Sequence, residues 1–238
     1  MKRKQKSKSY KLNETWTMWM CKSEVRPSQG NWETNLVQLE KLRTAEDFWE
    51  LYRKLPKPSE LPANEHMFLF KRSVVPIWSD PENLDGCRIT LKVERQVDNG
   101  QQCDVYWHEL VAAALEGRFG WCDTYVNGVS VGSDANVLKL RIWVRAYNGV
   151  AIQWMIRLAA SRFLGCNIAD LTVHKDLSRN LCRINDDKCV QCATADNIAT
   201  WDKKRKEDHF DDLPNGSLNC NNAYNQLGFF DPKLNALY

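Results

Sequence analysis

The spacing of hydrophobic positions changes several times along the chain, which predicts both strands and helices. Thr44, with Asp47 three positions later, is a helix-start signal, and this helix is expected to end before Pro56. Helical spacing also predicts a helix over 104–116 and a third helix that ends at Gly165. Short apolar runs, some of them alternating with polar residues, predict strands at 16–20, 36–40, 67–70, 74–78, 88–93 and 171–173.

Residues 138–146 carry the clearest strand pattern. Their side chains alternate, which predicts Ile142, Val144 and Ala146 on one face and Arg141, Trp143 and Arg145 on the other. Asn148-Gly149 predicts a hairpin turn that returns the chain through a strand at 150–154. Residues 120–136 are polar and contain glycine, which predicts a long loop. The irregular order of strands and helices indicates an α+β fold, an antiparallel sheet with three helices on one face.

The chain has 238 residues, which fits one globular domain with polar ends or two very small domains, and its net charge is +3. We expect a disordered basic tail over 1–9, a folded domain over 10–181 and a polar extension over 182–238. The sequence has no apolar run of membrane-spanning length and no signal-peptide pattern, so we expect the protein in the cytosol or nucleus. Because the charge excess is small, any binding of nucleic acid is expected to be local and specific.

Common catalytic motifs are missing from the sequence. It contains no G-x-x-x-x-G-K-[ST] phosphate loop, no H-E-x-x-H and no G-x-G-x-x-G. Nine cysteines, an odd and scattered set, are typical of free thiols, and the single C-x-x-C at Cys189 and Cys192 is a weak zinc signal. We therefore predict that the protein is not an enzyme and needs no metal or cofactor.

The unusual feature of the composition is its ten tryptophans, more than a core of this size needs. Trp32 and Trp78 lie in loop regions, and Trp143 lies between two arginines on one face of a predicted strand. An aromatic ring stacks on a base and a guanidinium group binds phosphate, so the combination predicts an aromatic cage for a nucleotide. The alternative is that the loop tryptophans are half-buried and only pack against the core.

A series of short motifs runs from Tyr10 to Val173. They are Trp16-Thr17-Met18-Trp19, Asn31-Trp32-Glu33-Thr34-Asn35-Leu36, Glu46-Asp47-Phe48-Trp49-Glu50-Leu51-Tyr52, Leu69-Phe70-Lys71, Val75-Pro76-Ile77-Trp78 and Val144-Arg145-Ala146, followed by Trp154. In this order and spacing they resemble the messenger-RNA cap-binding translation initiation factor 4E family. The resemblance implies a curved antiparallel sheet with three helices on its convex back. It also implies a monomer that binds capped mRNA and does not bind membranes.

The resemblance also implies roles for individual residues. Trp32 and Trp78 match the two tryptophans that sandwich 7-methylguanine, whose positive charge adds a cation–π attraction to the stacking. Trp154 matches the tryptophan that contacts the methyl group. Arg88 and Arg145 match basic residues near the triphosphate.

Three departures from the family pattern affect this site. Ser79 stands where the family has a glutamate that binds the guanine edge, and we predict that Asp80 or Glu82 replaces it. Val150 stands in place of a phosphate-contacting lysine, which predicts weaker cap binding. Trp143 is predicted to widen the stacking surface for a second nucleotide.

Trp49 matches the tryptophan that grips a partner helix on the convex back of the family fold. The predicted partner surface also contains Ala45, Tyr10, Leu12, Val111, Ala112 and Leu115. Its residues differ from the family pattern, so we predict a scaffold resembling factor 4G that carries a non-standard motif. A second hypothesis remains, namely an adaptor or repressor that keeps this surface but does not bind the cap.

Overall fold

The computed structural model describes residues 9–22, 35–72, 74–147 and 151–175. Within them the chain forms seven strands and three α-helices. In chain order these are β1 Lys11–Cys21, β2 Leu36–Thr44, α1 Ala45–Tyr52, β3 His66–Lys71, β4 Cys87–Glu94, α2 Gln101–Glu116, β5 Val126–Ser133, β6 Val137–Val144, α3 Ala151–Leu164 and β7 Thr172–Lys175. Short 3₁₀ helices lie at Pro58–Glu60, Gly120–Tyr125 and Ile168–Asp170.

All seven strands belong to one curved, open sheet in the order β2-β1-β3-β5-β6-β4-β7. Every neighbouring pair is antiparallel. On β6, Trp143 lies opposite Arg88 of β4 and Gly128 of β5, and Gly128 in turn lies opposite Phe70 of β3. The predicted α+β architecture is confirmed.

Alternating side chains divide the sheet into two faces. The convex face packs against the three helices and forms the main core, which includes Met18, Leu69, Val129, Ile142, Phe48 of α1, Val111 of α2 and Ile156 of α3. The concave face carries a smaller group, the concave-face cluster, made of Cys21, Phe68, Phe70, Val74 and Trp143, with Trp19, Leu36 and Trp78 partly buried against it. The helices therefore cover one face and leave the other for the predicted ligand.

The start of α1 follows the predicted capping pattern. The Thr44 hydroxyl accepts a hydrogen bond from the Asp47 N–H at 3.1 Å, and the Asp47 carboxylate accepts one from the Thr44 N–H at 3.0 Å. The side-chain hydrogen bond with Thr44 lowers the pKa of Asp47. This reciprocal cap fixes the helix that carries Trp49.

The predicted loop at 120–136 is wrong, because residues 126–133 form the central strand β5, whose residues are all buried. Two glycines in this strand suggested a loop. A Cβ at Gly128 would lie 2.5 Å from the Phe70 ring and 2.6 Å from the Leu69 carbonyl oxygen, and one at Gly132 would lie 1.9 Å from the His66 ring. Glycine is present because side chains of β3 already fill the space beside the strand.

Two predicted strands are also wrong. Residues 74–78 form no strand, and Pro76 among them cannot donate a ladder hydrogen bond. A return strand is predicted at 150–154, but residues 151–154 belong instead to α3, which buries Ile152, Ile156, Ala160 and Leu164 at helical spacing. The predicted turn at Asn148-Gly149 lies outside the described residues.

None of the helices in the described residues is long and apolar enough to cross a membrane. Those residues also contain no group of three or more histidine, cysteine or acidic side chains arranged for a metal ion. The pair Cys189 and Cys192, the predicted extension at 182–238 and nearly all of the predicted tail at 1–9 lie outside the described residues.

Candidate functional site

Two tryptophans lie next to each other on the concave face. The ring centroids of Trp78 and Trp143 are 4.8 Å apart, with the planes tilted by 45°. Trp78 reaches this position from the loop between β3 and β4, whereas Trp143 projects from β6. Trp78 is only partly buried, so the residue keeps some surface in contact with solvent.

Arg88 of β4 lies against both rings. Its guanidinium carbon is 4.6 Å from the centroid of Trp78 and 5.1 Å from that of Trp143. These distances are within the range of cation–π attraction. A cation therefore lies beside the partly buried Trp78 ring, as expected for a site that binds an aromatic anion.

The predicted role of Trp143 is corrected by its surroundings. Its side chain faces the concave side, as the alternation predicts, but it is only 2% exposed and cannot stack on a second nucleotide. Its indole N–H donates to the Ser130 hydroxyl at 3.0 Å, and its ring packs edge-on against Phe70 at 5.4 Å. Trp143 therefore supports Trp78 from beneath.

Trp154 does not join these aromatic residues. It lies on α3, whose buried residues belong to the main core on the convex face, and it is 50% exposed. Its ring is approached by the Arg157 guanidinium at 5.8 Å. The predicted contact between Trp154 and a methyl group is therefore wrong, because the sequence around it forms a helix on the other side of the sheet. Trp32 lies outside the described residues.

The loop that carries Trp78 contains both carboxylates predicted to bind the guanine edge. The Asp80 carboxylate accepts hydrogen bonds from the backbone N–H groups of Val75 at 2.8 Å and Glu82 at 2.9 Å. Both of its oxygens therefore hold the loop together. The Glu82 side chain is exposed, and its carboxylate takes part in none of the hydrogen bonds or ion pairs formed within the described residues.

A second arginine lies on the concave face, beside His66 of β3 and Gly132 of β5. Arg141 precedes Trp143 by two positions on β6, opposite Thr90 of β4 and Ser130 of β5. Burial lowers its pKa, with Asp134 acting in the opposite direction, and its guanidinium forms no hydrogen bond or ion pair within the described residues. Burial and the positive charge of Arg141 together lower the pKa of His66 to about 4, so His66 adds no charge at neutral pH.

Arg145 lies beyond the end of β6. Its guanidinium carbon is 5.5 Å from the Tyr125 ring centroid, and its backbone N–H donates to the Tyr125 carbonyl at 2.9 Å. The side chain is exposed. Arg88, rather than Arg145, is the predicted phosphate-binding residue that contacts the tryptophan pair.

The predicted partner surface on the convex side is only partly accessible. Trp49 is partly exposed and packs against Phe48, Tyr52 and His108 with centroid distances of 4.9, 5.5 and 5.3 Å. Tyr10 accepts the Ala45 N–H at 2.8 Å through its carbonyl oxygen, and Leu12 packs against the main core.

Four other residues predicted on that surface are buried. Ala45 is 6% exposed, Val111 0%, Ala112 5% and Leu115 4%. Val111 and Leu115 point into the main core because α2 packs on the sheet through that side. These four residues have almost no surface to offer a partner, so their prediction as contacts is wrong. Trp49 with its aromatic neighbours is the accessible part.

Three site-forming residues were not predicted. Ser130 and Asn127 belong to β5, which the sequence pattern assigned to a loop, and Asn83 belongs to the turn-rich segment before β4. Ser130 hydrogen-bonds to Trp143 and Asn127 to Glu82, both on other segments of the chain. Asn83 hydrogen-bonds to Ile77 across its own loop. No local signal distinguishes such residues from ordinary polar loop residues.

Comparison with known proteins gives a consistent result. The family model described as eukaryotic initiation factor 4E matches residues 11–183. The translation initiation factor isoform 4E of Nicotiana tabacum is 29% identical over 171 residues, which cover 71% of this chain and 82% of the tobacco protein.

Solved structures share the fold. A complex of Caenorhabditis elegans eIF4E-3 with the 4E-binding protein Mextli has a TM-score of 0.67 at 24% identity, covering 73% of this chain and 97% of the other. A complex of Ascaris suum eIF4E-3 with m7G cap has a TM-score of 0.66 at 26% identity, covering 71% of this chain and 92% of the other.

Proposed function

The chain belongs to the eukaryotic initiation factor 4E family, and from this premise we propose that it binds the 7-methylguanosine cap of mRNA during translation initiation. The observation that carries the proposal is the partly exposed Trp78 ring, held against Trp143 and Arg88 on the concave face. The Ascaris suum relative was solved with m7G cap, which supports the same ligand here. In this proposal the protein is a cytoplasmic, non-enzymatic factor.

The methylated base stacks on Trp78, and Trp32 supplies the second ring of the sandwich. Methylation at N7 makes guanine cationic, and each favourable ring then adds about 0.5–2 kcal/mol of cation–π attraction. Two rings therefore distinguish the methylated base from plain guanine by about tenfold or more.

Tryptophan fluorescence titration with 7-methyl-GTP and with GTP tests this proposal. We expect quenching by 7-methyl-GTP at concentrations at least about tenfold lower than by GTP. Ser79, which stands where the family has its guanine-binding glutamate, favours the alternative of an adaptor that does not bind the cap. Equal quenching by the two nucleotides, or none, would support that adaptor.

Glu82 is proposed to bind the guanine edge in place of the missing glutamate. Guanine presents two N–H donors, and a carboxylate that accepts both forms charge-assisted hydrogen bonds. Asp80 is the weaker candidate, because both of its oxygens already accept backbone N–H groups inside the loop.

Arg88 and Arg141 are proposed to contact the triphosphate. Changing Arg141 to glutamine is expected to weaken binding of 7-methyl-GTP about tenfold, because one charge-assisted hydrogen bond is worth roughly 1.5–3 kcal/mol. The loss should be smaller for 7-methyl-GMP, which lacks the outer phosphates. Isothermal titration calorimetry with both nucleotides measures the two losses.

Arg162→Gln is the matched control for Arg141→Gln, because Arg162 is an exposed residue in the last turn of α3. It is expected to bind both nucleotides as the unaltered protein does. Arg145→Gln measures the contribution of the residue that the family resemblance favoured. A larger loss for Arg145→Gln than for Arg141→Gln would contradict our assignment.

On the convex side, Trp49 is proposed to bind an amphipathic helix of a scaffold resembling factor 4G. Changing Trp49 to alanine is expected to weaken the binding of such a helix by about 30-fold or more. A partly exposed tryptophan at a helix-binding surface typically contributes at least about 2 kcal/mol to the free energy of binding. The measurement is fluorescence anisotropy of a labelled peptide with the standard Tyr-x-x-x-x-Leu-apolar motif, which we expect to bind this protein more weakly than it binds typical family members, because the predicted partner motif is non-standard. Trp121→Ala, at a tryptophan that is 49% exposed elsewhere on the surface, should leave the affinity unchanged. Equal losses in both variants would reject the assignment.

A further inference from the structure

The loop that carries Trp78 has little regular secondary structure, yet a buried amide holds it together. Asn83 is only 2% exposed. Its side-chain NH₂ group donates to the carbonyl oxygens of Val75 and Ile77, both at 2.8 Å. Ile77 immediately precedes Trp78 in the chain. One side chain therefore fixes the backbone on the N-terminal side of the stacking residue.

Asn127, at the start of β5, ties this loop to the centre of the sheet. It is 5% exposed, and its NH₂ group donates to the Glu82 carbonyl at 2.6 Å and to the Asn83 side-chain oxygen at 3.0 Å. These bonds determine the orientation of the Asn83 amide, because a flipped amide would turn its oxygen towards two carbonyl oxygens. The loop is thereby anchored to the central strand of the sheet.

Asp80 closes the same loop from its other side. Its carboxylate accepts the backbone N–H groups of Val75 and Glu82, and its carbonyl oxygen accepts the N–H groups of Asn83 at 2.9 Å and Leu84 at 3.0 Å. Asp80 and Asn83 thus both bind the backbone of Val75. The Asp80 carboxylate accepts its N–H, and the Asn83 amide donates to its carbonyl oxygen. The buried polar groups of the loop satisfy one another without a ligand.

We propose that Asn83 is a positioning residue, which together with Asn127 and Asp80 sets the orientation of the Trp78 ring before any ligand binds. The Asn83 and Asn127 amides fix the backbone, and the backbone places the indole 4.8 Å from Trp143. A ring placed in advance does not have to be ordered on binding, which lowers the entropic cost of association. The benefit to cap affinity rests on the proposed function, whereas the placement of the ring does not.

The orientation of the ring is measurable without ligand. Two indoles 4.8 Å apart and tilted by 45° couple their electronic transitions and give a paired signal of opposite sign in circular dichroism. The difference spectrum between the unaltered protein and Trp78→Phe isolates the contribution of this pair from the other tryptophans. Asn83→Asp removes both NH₂ donations while keeping the size of the side chain.

We expect Asn83→Asp to lose at least about half of this paired signal and to bind 7-methyl-GTP about tenfold more weakly. Asn127→Ser keeps the Asn83 bonds within the loop, so we expect it to disturb folding less than Asn83→Asp does, and it should reduce the signal in the same direction. Asn13→Asp makes the same chemical change at an exposed position of β1 and should change neither quantity. Glu82→Gln should weaken 7-methyl-GTP binding and leave the paired signal intact.

A paired signal that stays intact in Asn127→Ser, or in a folded Asn83→Asp, would overturn the proposal, whatever happens to affinity. Failure of the unaltered protein to bind 7-methyl-GTP would refute the proposed function alone, because the circular dichroism comparison uses ligand-free protein. A reduced signal in both variants, with Asn13→Asp unchanged, supports Asn83 as the residue that positions Trp78.

Discussion

Replacing Trp78 by alanine is expected to weaken 7-methyl-GTP binding by about 30- to 1,000-fold. Stacking of a base on an aromatic side chain is worth about 1–3 kcal/mol, and the positive charge of the methylated base adds about 0.5–2 kcal/mol. Together they sum to about 1.5–5 kcal/mol, and the middle of this range, about 2–4 kcal/mol, corresponds to the expected loss of affinity. The loss for GTP should be smaller, because plain guanine forgoes the cation–π part.

Isothermal titration calorimetry on Trp78→Ala and Trp154→Ala measures this loss against a matched control. Trp154→Ala removes a ring of the same kind from α3, on the convex side, and is expected to retain its affinity to within about twofold. Thermal unfolding of both variants checks that the fold is intact. A large loss in Trp154→Ala would restore the role that the sequence resemblance gave to this residue, and a small loss in Trp78→Ala would reject the aromatic site.

The contrast between Trp78 and Trp143 marks the limit of sequence-based prediction at this site. Strict alternation along β6 correctly predicts the face on which Trp143 lies. Its burial depends on Phe70 of β3 and Ser130 of β5, which are brought to it by strand pairing. Side-chain periodicity within one strand contains no information about neighbours that distant segments supply.

Trp154 illustrates a different cause of error. Over the five residues 150–154, Ile152 and Trp154 alternate with smaller or polar residues and suggest a strand. The helical period becomes visible only over a longer segment, where Ile152, Ile156, Ala160 and Leu164 recur every four residues. The α1 cap, by contrast, was predicted because Thr44 and Asp47 contain the whole signal within four residues.

The missed strand β5 has the largest consequence for the site. Its glycines and serines lower the strand propensity, yet Gly128 and Ser130 are there because Phe70 and Trp143 occupy the space beside them. A strand that accommodates large aromatic residues on both neighbouring strands must itself carry small residues. Tertiary packing thus overrides local propensity at the strand that supports the concave-face cluster.

Replacing Gly128 by alanine is therefore expected to lower the free energy of unfolding by about 2–3 kcal/mol, at the upper end of what overpacking usually costs. The added Cβ would lie 2.5 Å from the Phe70 ring and 2.6 Å from the Leu69 carbonyl oxygen. The ring has little room because Phe70 is 0% exposed, and the carbonyl belongs to the β3 backbone that pairs with β5. Urea denaturation followed by circular dichroism measures the change.

Gly120→Ala separates this clash from the general effect of adding a methyl group. Gly120 has a φ of +65° and no atom within 4 Å of the added Cβ, so its cost is limited to backbone strain of roughly 1–2 kcal/mol. Phe70 packs on Trp143, which packs on Trp78, so Gly128→Ala should also weaken 7-methyl-GTP binding. Gly120 has no part in the packing of Phe70, Trp143 and Trp78, so Gly120→Ala should lower the free energy of unfolding without weakening 7-methyl-GTP binding. Equal changes in the two variants, in either quantity, would contradict the link between β5 and the stacking site.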